Sequence, residues 1–455
     1  MKNKNLSKKT KKIKSQSISK KFLFSLATVS VLSTCADAKI NGGGCNDTTC
    51  GTVSSTQNTA ITVSDKDNVK LTIESGGSVI TNGTSVTFNN NSSLQNFDNQ
   101  GTIQNNSSQE AIKFHGATID NFKNSGLISG SWSGLEINSG TNHIKTFENS
   151  GTIQSTGKNT NGILLKNGTI DNFTNEKNGL ISGKGDGILF ENSTIKTLTN
   201  SGTIEGKGVG LKLFNNASNN TIDTLKNTGT IKGGAEGINM SKITITDFSN
   251  DGVIQSENWS GVVLYEQSTI ENFTNKGTIE SKIKDNDKIG LAGLYIQKSH
   301  IKTFTNEGII SGNNGVSLFA GTVDSFINKG TIIGTSSYKN TAALSLQNLE
   351  EDGQSLVKTF TNEGLLKSES NGIAIESGSK IETLNNKGTI EAKLNGLSFY
   401  IAPPAGDLIE VGQINLESSS VIKAGNDGLH IDGSDKDIKV KGIDVKSGAL
   451  LQGAR

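Results

Sequence analysis

The chain has 455 residues, with 44 basic and 43 acidic side chains, 54 glycines and only two prolines. Hydrophobic residues make up 32% and aromatic residues 5% of the chain, which excludes a set of ordinary globular domains. The regular spacing of Ile, Leu, Val and Phe argues against a disordered polymer. No basic stripe of the kind that marks nucleic-acid-binding proteins is present, so nucleic acid is not an expected partner.

Residues 1–38 are predicted to be a signal peptide. Nine lysines and no acidic residue precede a short apolar run at 22–32, and Ala36 and Ala38 form a small-residue cleavage arrangement that ends at Ala38. The apolar run is too short to span a membrane as a helix. We therefore expect export through the inner membrane. Removing nine lysines and Asp37 leaves 35 basic and 42 acidic residues, a net charge of −7.

Three cysteines lie near this junction. Cys35 follows the apolar run at the place where a lipoprotein signal has a lipidated cysteine, and the alternative is that it leaves with the signal peptide. Cys45 and Cys50 form a close pair, and an oxidising compartment favours a small disulfide loop between them. A metal site there would need more ligands than the segment offers. Residues 39–90 are thus expected to form an N-terminal cap and the first coils, with this Cys45–Cys50 loop.

Residues 91–392 contain twelve copies of one phrase, [I/V/L]-x-x-[F/L]-x-N-x-G-x-[I/L]. The early copies recur every 25 or 26 residues, and the later intervals vary between 22 and 34. A second motif lies between the copies, as in "GILLKNG" and "GIAIESG", with apolar residues at a period of two. Each repeat therefore predicts three short strands that are separated by turn-forming Asn and Gly.

This period predicts an all-β fold, a right-handed parallel β-helix (β-solenoid) with about 25 residues and three short strands per coil. One coil cannot bury its apolar face alone, but coils stacked about 4.8 Å apart share one core. Antiparallel sandwiches would not repeat one residue code at one period, and no 3.6-residue pattern supports helical repeats. Residues 393–455 lack the Asn phrase and are expected to form irregular C-terminal coils.

One asparagine occupies the same position in every copy, which predicts a structural ladder of stacked amides instead of a ligand site. Asn tolerates left-handed backbone angles and Gly two residues later tolerates positive φ, so both are expected to shape a tight corner. The twelve residues are Asn99, Asn124, Asn149, Asn175, Asn200, Asn227, Asn250, Asn275, Asn306, Asn328, Asn362 and Asn386.

No catalytic residue, metal site or cofactor is predicted, and the protein is not expected to be an enzyme. The four histidines show no metal-ligand spacing, and no G-x-S-x-G motif occurs. The acidic cluster "NDGLHIDGSDKD" at 426–437 matches no calcium loop and is interpreted as a solvated turn. Aromatic residues in or near the variable segments are the better candidates for a binding surface, with packing inside a coil as the alternative for each. They are Trp132, Trp259, Tyr265, Tyr295 and Tyr338.

The basic signal sequence, the early Cys pair and tandem phrases such as "KTFTNEGIISG" and "ENFTNKGTIES" together resemble the passenger domains of Gram-negative autotransporters (type V secretion). The similarity covers residues 1 to about 400 and is nearest to adhesin-like and vacuolating-cytotoxin-like passengers. It implies a virulence factor that is displayed at the cell surface or outer membrane, or secreted, with the help of a translocator barrel. The implied function is adhesion to a host cell surface, matrix or glycan.

The chain departs from this family in one respect, because no translocator barrel follows the repeats. Either the product is truncated, which would leave it periplasmic, or the chain is a fragment, or a separate protein secretes it. Two-partner secretion is disfavoured, because no proline for an N-P-N motif occurs before Pro403. Two other functions stay open from the sequence: a glycan-active β-helix enzyme similar to polysaccharide lyases or hydrolases, and a toxin-like passenger.

Overall fold

The computed structural model describes residues 51–454 except 65–66, 90–91, 216–219, 284–290, 349–352, 377, 401–408 and 433–437. Every regular element in this part of the chain is a β-strand, and the 47 strands follow one another in sets of three. Each set is one coil of a solenoid. The described chain winds through fifteen complete coils and a partial sixteenth.

The strands are short, and most have four to eight residues. Coils one to five contain β1 Thr52–Val53, β2 Thr56–Gln57, β3 Ile61–Ser64, β4 Val69–Ile73, β5 Ser78–Thr81, β6 Val86–Asn89, β7 Ser93–Asn99, β8 Thr102–Asn105, β9 Ile112–His115, β10 Thr118–Asn124, β11 Leu127–Gly130, β12 Leu135–Ile137, β13 Asn142–Asn149, β14 Thr152–Ser155 and β15 Ile163–Lys166. Coils six to ten contain β16 Gly168–Asn175, β17 Leu180–Gly183, β18 Ile188–Glu191, β19 Thr194–Asn200, β20 Thr203–Gly206, β21 Leu211–Phe214, β22 Asn220–Asn227, β23 Thr230–Gly233, β24 Ile238–Ser241, β25 Ile243–Asn250, β26 Val253–Ser256, β27 Val262–Tyr265, β28 Thr269–Asn275, β29 Thr278–Ser281 and β30 Ala292–Gln297. The remaining coils contain β31 His300–Asn306, β32 Ile309–Gly312, β33 Asn314–Phe319, β34 Thr322–Asn328, β35 Thr331–Gly334, β36 Ala342–Gln347, β37 Leu356–Asn362, β38 Leu365–Ser368, β39 Asn371–Glu376, β40 Lys380–Asn386, β41 Thr389–Ala392, β42 Leu397–Tyr400, β43 Ile409–Leu416, β44 Val421–Ala424, β45 Leu429–Asp432, β46 Ile438–Val445 and β47 Leu450–Gln452.

Three parallel sheets run along the rod, and each takes one strand from every coil. The first and second sheets have 16 strands each and the third has 15, and every described pairing is parallel. The register aligns the repeated phrase with itself, since Ile119 pairs with Ile144 and Phe122 with Phe147. The predicted parallel β-solenoid with three strands per coil is therefore confirmed.

The inward residues of all three sheets form one continuous hydrophobic core. Phenylalanine rings stack along the inside of the first sheet, where the centroids of Phe147 and Phe173 are 4.5 Å apart with planes at 5°. The rings of Phe248 and Phe273 are 4.4 Å apart at 3°. Each buried apolar side chain of this size contributes about 1.5–3 kcal/mol, so the stacked coils share a stabilisation that one coil lacks.

The twelve asparagines of the repeated phrase form a buried ladder at the ends of the first-sheet strands. In eleven successive steps the Nδ2 of one residue donates to the Oδ1 of the next over 2.7–2.8 Å. The amides also donate to backbone carbonyls of the turn, as Asn200 does to Thr230 O at 3.1 Å. Because buried amides need partners, the ladder satisfies polar groups that a dry core would leave unpaired.

The ladder has two different ends. At its N-terminal end the Oδ1 of Asn99 is buried with no hydrogen-bond partner among the described residues, because Ile73 occupies the equivalent place in the preceding coil. At its C-terminal end Leu416 replaces the asparagine. The Nδ2 of Asn386 donates instead to Ser420 Oγ at 2.5 Å.

The expectation that these asparagines adopt left-handed angles is wrong. None of the twelve has a positive φ, since each ends an extended strand. Nine of the ten described left-handed residues other than glycine lie instead in the turns between the third strand of one coil and the first strand of the next, as at Asn167 (φ 54°), Lys242 (φ 56°) and Ala320 (φ 50°). The amide ladder, and not the backbone conformation, therefore explains the repeated asparagine.

The glycine that follows each ladder asparagine also has a different role from the expected one. Gly277 does not have a left-handed φ. A Cβ added there would lie 2.0 Å from the carbonyl oxygen of Gly252 in the neighbouring coil. Close stacking of the two backbones, with no room for a side chain, explains the glycine.

The three sheets continue beyond the last copy of the phrase. Strands β43 to β47 keep the parallel register, with Ile414 paired to Ile443 and Ile422 to Leu451. These outermost residues extend the inward rows, but Ile443 and Leu451 are exposed in the last described coil. The segment 393–455 thus contains regular strands without the ladder, and its described coils are otherwise built like the rest.

Candidate binding edge

Three exposed aromatic residues lie on the same edge of the rod. Trp132, Trp259 and Tyr338 are 53%, 48% and 37% exposed, and each lies in the turn between the second and third strands of its coil. We call this turn the second corner. Five coils separate the two tryptophans and three separate Trp259 from Tyr338, so the rings are spread over about 24 and 14 Å at 4.8 Å per coil.

Hydrogen bonds hold the backbone at two of these residues. The carbonyl of Trp259 accepts a hydrogen bond from Ser256 Oγ at 2.6 Å and another from Ser281 Oγ of the next coil. The carbonyl of Tyr338 accepts from Thr341 Oγ1 at 2.6 Å. Aromatic side chains have only two rotatable bonds and lose little conformational entropy on binding, so they are favoured as interface anchors.

Tyr295 has a different environment from the other candidates. It lies in strand β30, in the long interval between the copies of the phrase that begin at Ile270 and Ile301. Its ring is half-buried on the outer face of the third sheet, with its centroid 5.9 Å from that of Tyr265 and 5.3 Å from that of Phe319. Burial raises the pKa of the Tyr295 hydroxyl, which therefore stays neutral. The rings of Tyr265 and Phe319 on neighbouring strands of the third sheet therefore determine the environment of Tyr295.

A group of titratable side chains that the sequence did not reveal lies on the outer face of the third sheet. Lys113 Nζ is 3.0 Å from Glu110 Oε1 and 3.5 Å from Glu136 Oε1, and both carboxyls are buried. Burial and the neighbouring Glu110 raise the pKa of Glu136. Burial also acts to raise the pKa of Glu110, but hydrogen bonds from its own backbone, from Glu136 and from Lys113 hold it below its ordinary value. Because the two carboxyls are buried and share one lysine, we interpret the three residues as a structural cluster.

Three of the four histidines are paired with carboxylates. His143 Nε2 lies 3.1 Å from Asp171 Oδ2, and His430 Nδ1 lies 2.9 Å from Asp427 Oδ2. His300 Nε2 lies 3.3 Å from an oxygen of Asp324. Within the described ranges, no group of three His, Cys, Asp or Glu side chains could hold a metal ion.

Several candidates from the sequence fall outside the described residues. These are the signal-peptide junction at Ala38, the cysteines Cys35, Cys45 and Cys50, and part of the acidic cluster, of which Asp432 is described at the end of strand β45. The signal peptide, the disulfide and the acidic turn therefore stay predictions.

The part of the chain with assigned structure contains no helix that is long and apolar enough to cross a membrane. No protein-family model, no curated protein and no solved structure matches the chain.

Proposed function

We propose that this protein is a non-enzymatic β-solenoid that attaches to a host cell surface, matrix or glycan, as autotransporter passengers of the adhesin type do. One observation carries the proposal: Trp132, Trp259 and Tyr338 are exposed along a single edge while the repeated phrase is buried inside the fold. Exposed aromatic rings on rigid turns are suited to recognition, because binding buries apolar area at little entropic cost.

The proposed location is the cell surface or the surrounding medium. Its support is the basic leader, apolar run and A-x-A arrangement of residues 1–38, which are typical of exported proteins. A translocator barrel, in the same chain or supplied by another protein, is the proposed partner for crossing the outer membrane. The parallel β-solenoid agrees with this class of protein.

The test compares attachment of the purified protein and of a triple variant, Trp132→Ala, Trp259→Ala and Tyr338→Ala, to cultured epithelial cells. We expect the variant to lose at least about tenfold in affinity, since anchors of this kind cost 2 kcal/mol or more when truncated. Phe319→Ala is the control, because it removes a ring from the third sheet and leaves the second corner intact. Calcium-dependent cleavage of a polyuronic acid by a wild-type protein that binds no cells would refute the proposal in favour of an enzyme.

A further inference from the structure

A groove of about 430 Å³ lies at the second corner of coils six to nine. The ends of strands β17, β20 and β23 line it, together with the first corner residues Lys184, Lys207 and Gly234. These three corners, residues 184–186, 207–209 and 234–236, are short, with three residues each between flanking glycines. The next corner, at 257–260, has four residues and contributes Glu257 and Asn258 to one end of the groove. Its length across three coils is about 14 Å.

Two lysines of the groove occupy equivalent places on neighbouring coils. Gly183 pairs with Gly206 in the second sheet, so Lys184 and Lys207, which follow them, are one coil apart. Both side chains are exposed. Among the residues described, no carboxylate forms an ion pair with either of them. The groove thus presents two ammonium groups that are free to meet an anion.

The groove also contains two carboxylates, and among the described residues only one of them is paired with lysine. Glu257 Oε1 lies 3.0 Å from Lys232 Nζ and 3.8 Å from Lys282 Nζ, and the hydrogen bond from Lys232 holds the pKa of Glu257 below its usual range. Glu205 accepts a hydrogen bond from Ser182 Oγ at 3.1 Å and keeps its negative charge. Two unpaired lysines and one unpaired carboxylate in this part of the chain leave a net charge of +1 at the groove.

An exposed tryptophan follows the last lining residue of the groove in the chain. Trp259 lies on the longer corner of coil nine, directly after Asn258, which lines the groove. The Nδ2 of Asn258 donates to Gly234 O at 2.7 Å, and its Oδ1 takes no part in this hydrogen bond and can accept one from a ligand. The indole is two coils from Lys207, so a ligand long enough to span these coils can combine an apolar contact with charged ones.

We propose that this groove binds an acidic glycan, a chain of sugars that carry carboxylate or sulfate groups, with the anions at Lys184 and Lys207 and one sugar ring against Trp259. The inference rests on the proposed adhesin function and names its ligand class. Lysine ammonium groups meet single anions as point charges, and the described residues contain no arginine that could hold an anion bidentately. The apolar face of a sugar ring matches an exposed indole, since both are flat and amphipathic.

The test measures binding of heparin oligosaccharides, alginate oligosaccharides, neutral dextran and single-stranded DNA to the full chain by calorimetry. Heparin represents sulfated chains of host matrix and alginate represents carboxylated bacterial chains, so the two arms distinguish the sources. We expect one or both acidic glycans to bind and dextran to fail. The double variant Lys184→Gln and Lys207→Gln should lose at least about tenfold in affinity, and its affinity should depend less on salt than that of the wild type.

Trp259→Ala should weaken binding while leaving the salt dependence unchanged, because it removes an uncharged contact. The matched control, Lys226→Gln with Lys276→Gln, removes two exposed lysines that lie outside the groove. It should bind as the wild type does. Circular dichroism and melting curves of each variant show whether a loss reflects misfolding.

Three outcomes overturn the inference: no acidic glycan binds, the two lysine pairs have equal effects, or DNA binds more tightly than both glycans. The proposed adhesin function fails separately. If cells are bound but no acidic glycan is, the groove assignment is wrong and adhesion stands. If acidic glycans bind at the groove but cells are not bound, the groove assignment stands and adhesion is wrong.

Discussion

Asn200 donates its side-chain Nδ2 to Asn227 Oδ1 over 2.8 Å, and its own Oδ1 accepts a hydrogen bond of 2.8 Å from Asn175. These three residues lie in successive coils and are fully buried. A mid-ladder residue therefore has two neighbours whose amides depend on it. Leaving a buried amide without a partner costs more free energy than one hydrogen bond contributes on balance. The ladder therefore couples the stability of each coil to that of its neighbours.

Asn200→Ala is expected to lower the free energy of unfolding by about 1–3 kcal/mol, because it leaves the amides of both neighbours incomplete. Asn178→Ala is the control, since Asn178 is exposed in a turn outside the ladder, and it should cost less than about 0.5 kcal/mol. Urea denaturation followed by circular dichroism measures both. Equal effects at the two positions would show that the ladder does not stabilise the rod.

The position within the ladder should also matter. Asn99→Ala should cost less than Asn200→Ala, because the Oδ1 of Asn99 already lacks a partner and the change breaks one ladder bond instead of two. We expect a difference of about 1 kcal/mol, the net value of one buried hydrogen bond. The same urea titrations measure it. A larger cost at Asn99 would contradict the hydrogen-bond explanation.

Phe273→Ala should lower the free energy of unfolding by about 3–5 kcal/mol, because it leaves a cavity in the stacked core. The ring of Phe273 lies between Phe248 at 4.4 Å and Phe304 at 4.9 Å. Phe319→Ala removes the same group from the outer face of the third sheet, and we expect less than half the effect. Thermal melts of both variants test the difference. A similar loss of stability for the two would show that the phenylalanine stack adds no special stability to the core.

Gly277→Ala should destabilise the rod by about 3 kcal/mol, because the new Cβ would lie 2.0 Å from Gly252 O and would force two backbones apart. Gly76→Ala is the matched control, since its Cβ would lie 3.6 Å from the nearest atom, Ser54 O. It should change stability by less than about 0.5 kcal/mol. Urea midpoints of the two variants compare the sites. A tolerated alanine at Gly277 would refute the close-stacking explanation.

Burial raises the pKa of Glu376 to about 7 from the ordinary 4.5. The folded chain therefore holds this proton more tightly than the unfolded chain does. Between pH 4.5 and about 7, the contribution of Glu376 to the free energy of unfolding falls as pH rises. Tyr400, which faces it on the next strand, stays neutral in this range because burial raises its hydroxyl pKa.

Glu376→Gln should remove this decrease in the free energy of unfolding with rising pH. Relative to the wild type, the variant should gain about 1–3 kcal/mol at pH 8 and nothing at pH 4, where the glutamate is also neutral. Urea melts at pH 4, 5.5 and 8 give the difference at each pH. Glu176→Gln, which removes a carboxylate from an exposed turn, is the control for the substitution itself. A gain that is equal at all three pH values would exclude titration of Glu376 as its cause.

The sequence by itself determined the coil. Its repeated phrase predicted three strands per repeat, and residues such as Phe147 and Asn149 recur at one spacing because every coil must present the same inward side chains to its neighbours. Alternation of apolar residues at a period of two indicated the strands, since successive side chains point to opposite faces. These signals are local, so they need no knowledge of distant residues.

Only the tertiary structure decided what the outside of the rod contains. Lys184 and Lys207 are 23 residues apart in the chain and become neighbours through the register of the second sheet. Tyr295 and Phe319 are 24 residues apart in the chain, and their strands in the third sheet place the two rings 5.3 Å apart. The lengths of the corners determine which outward residues become neighbours. Outward positions show no common residue pattern from coil to coil, because each faces solvent or a local neighbour. Inward residues must fit a common core, so repetition reveals them in the sequence, whereas outward residues acquire their neighbours only when the coils stack.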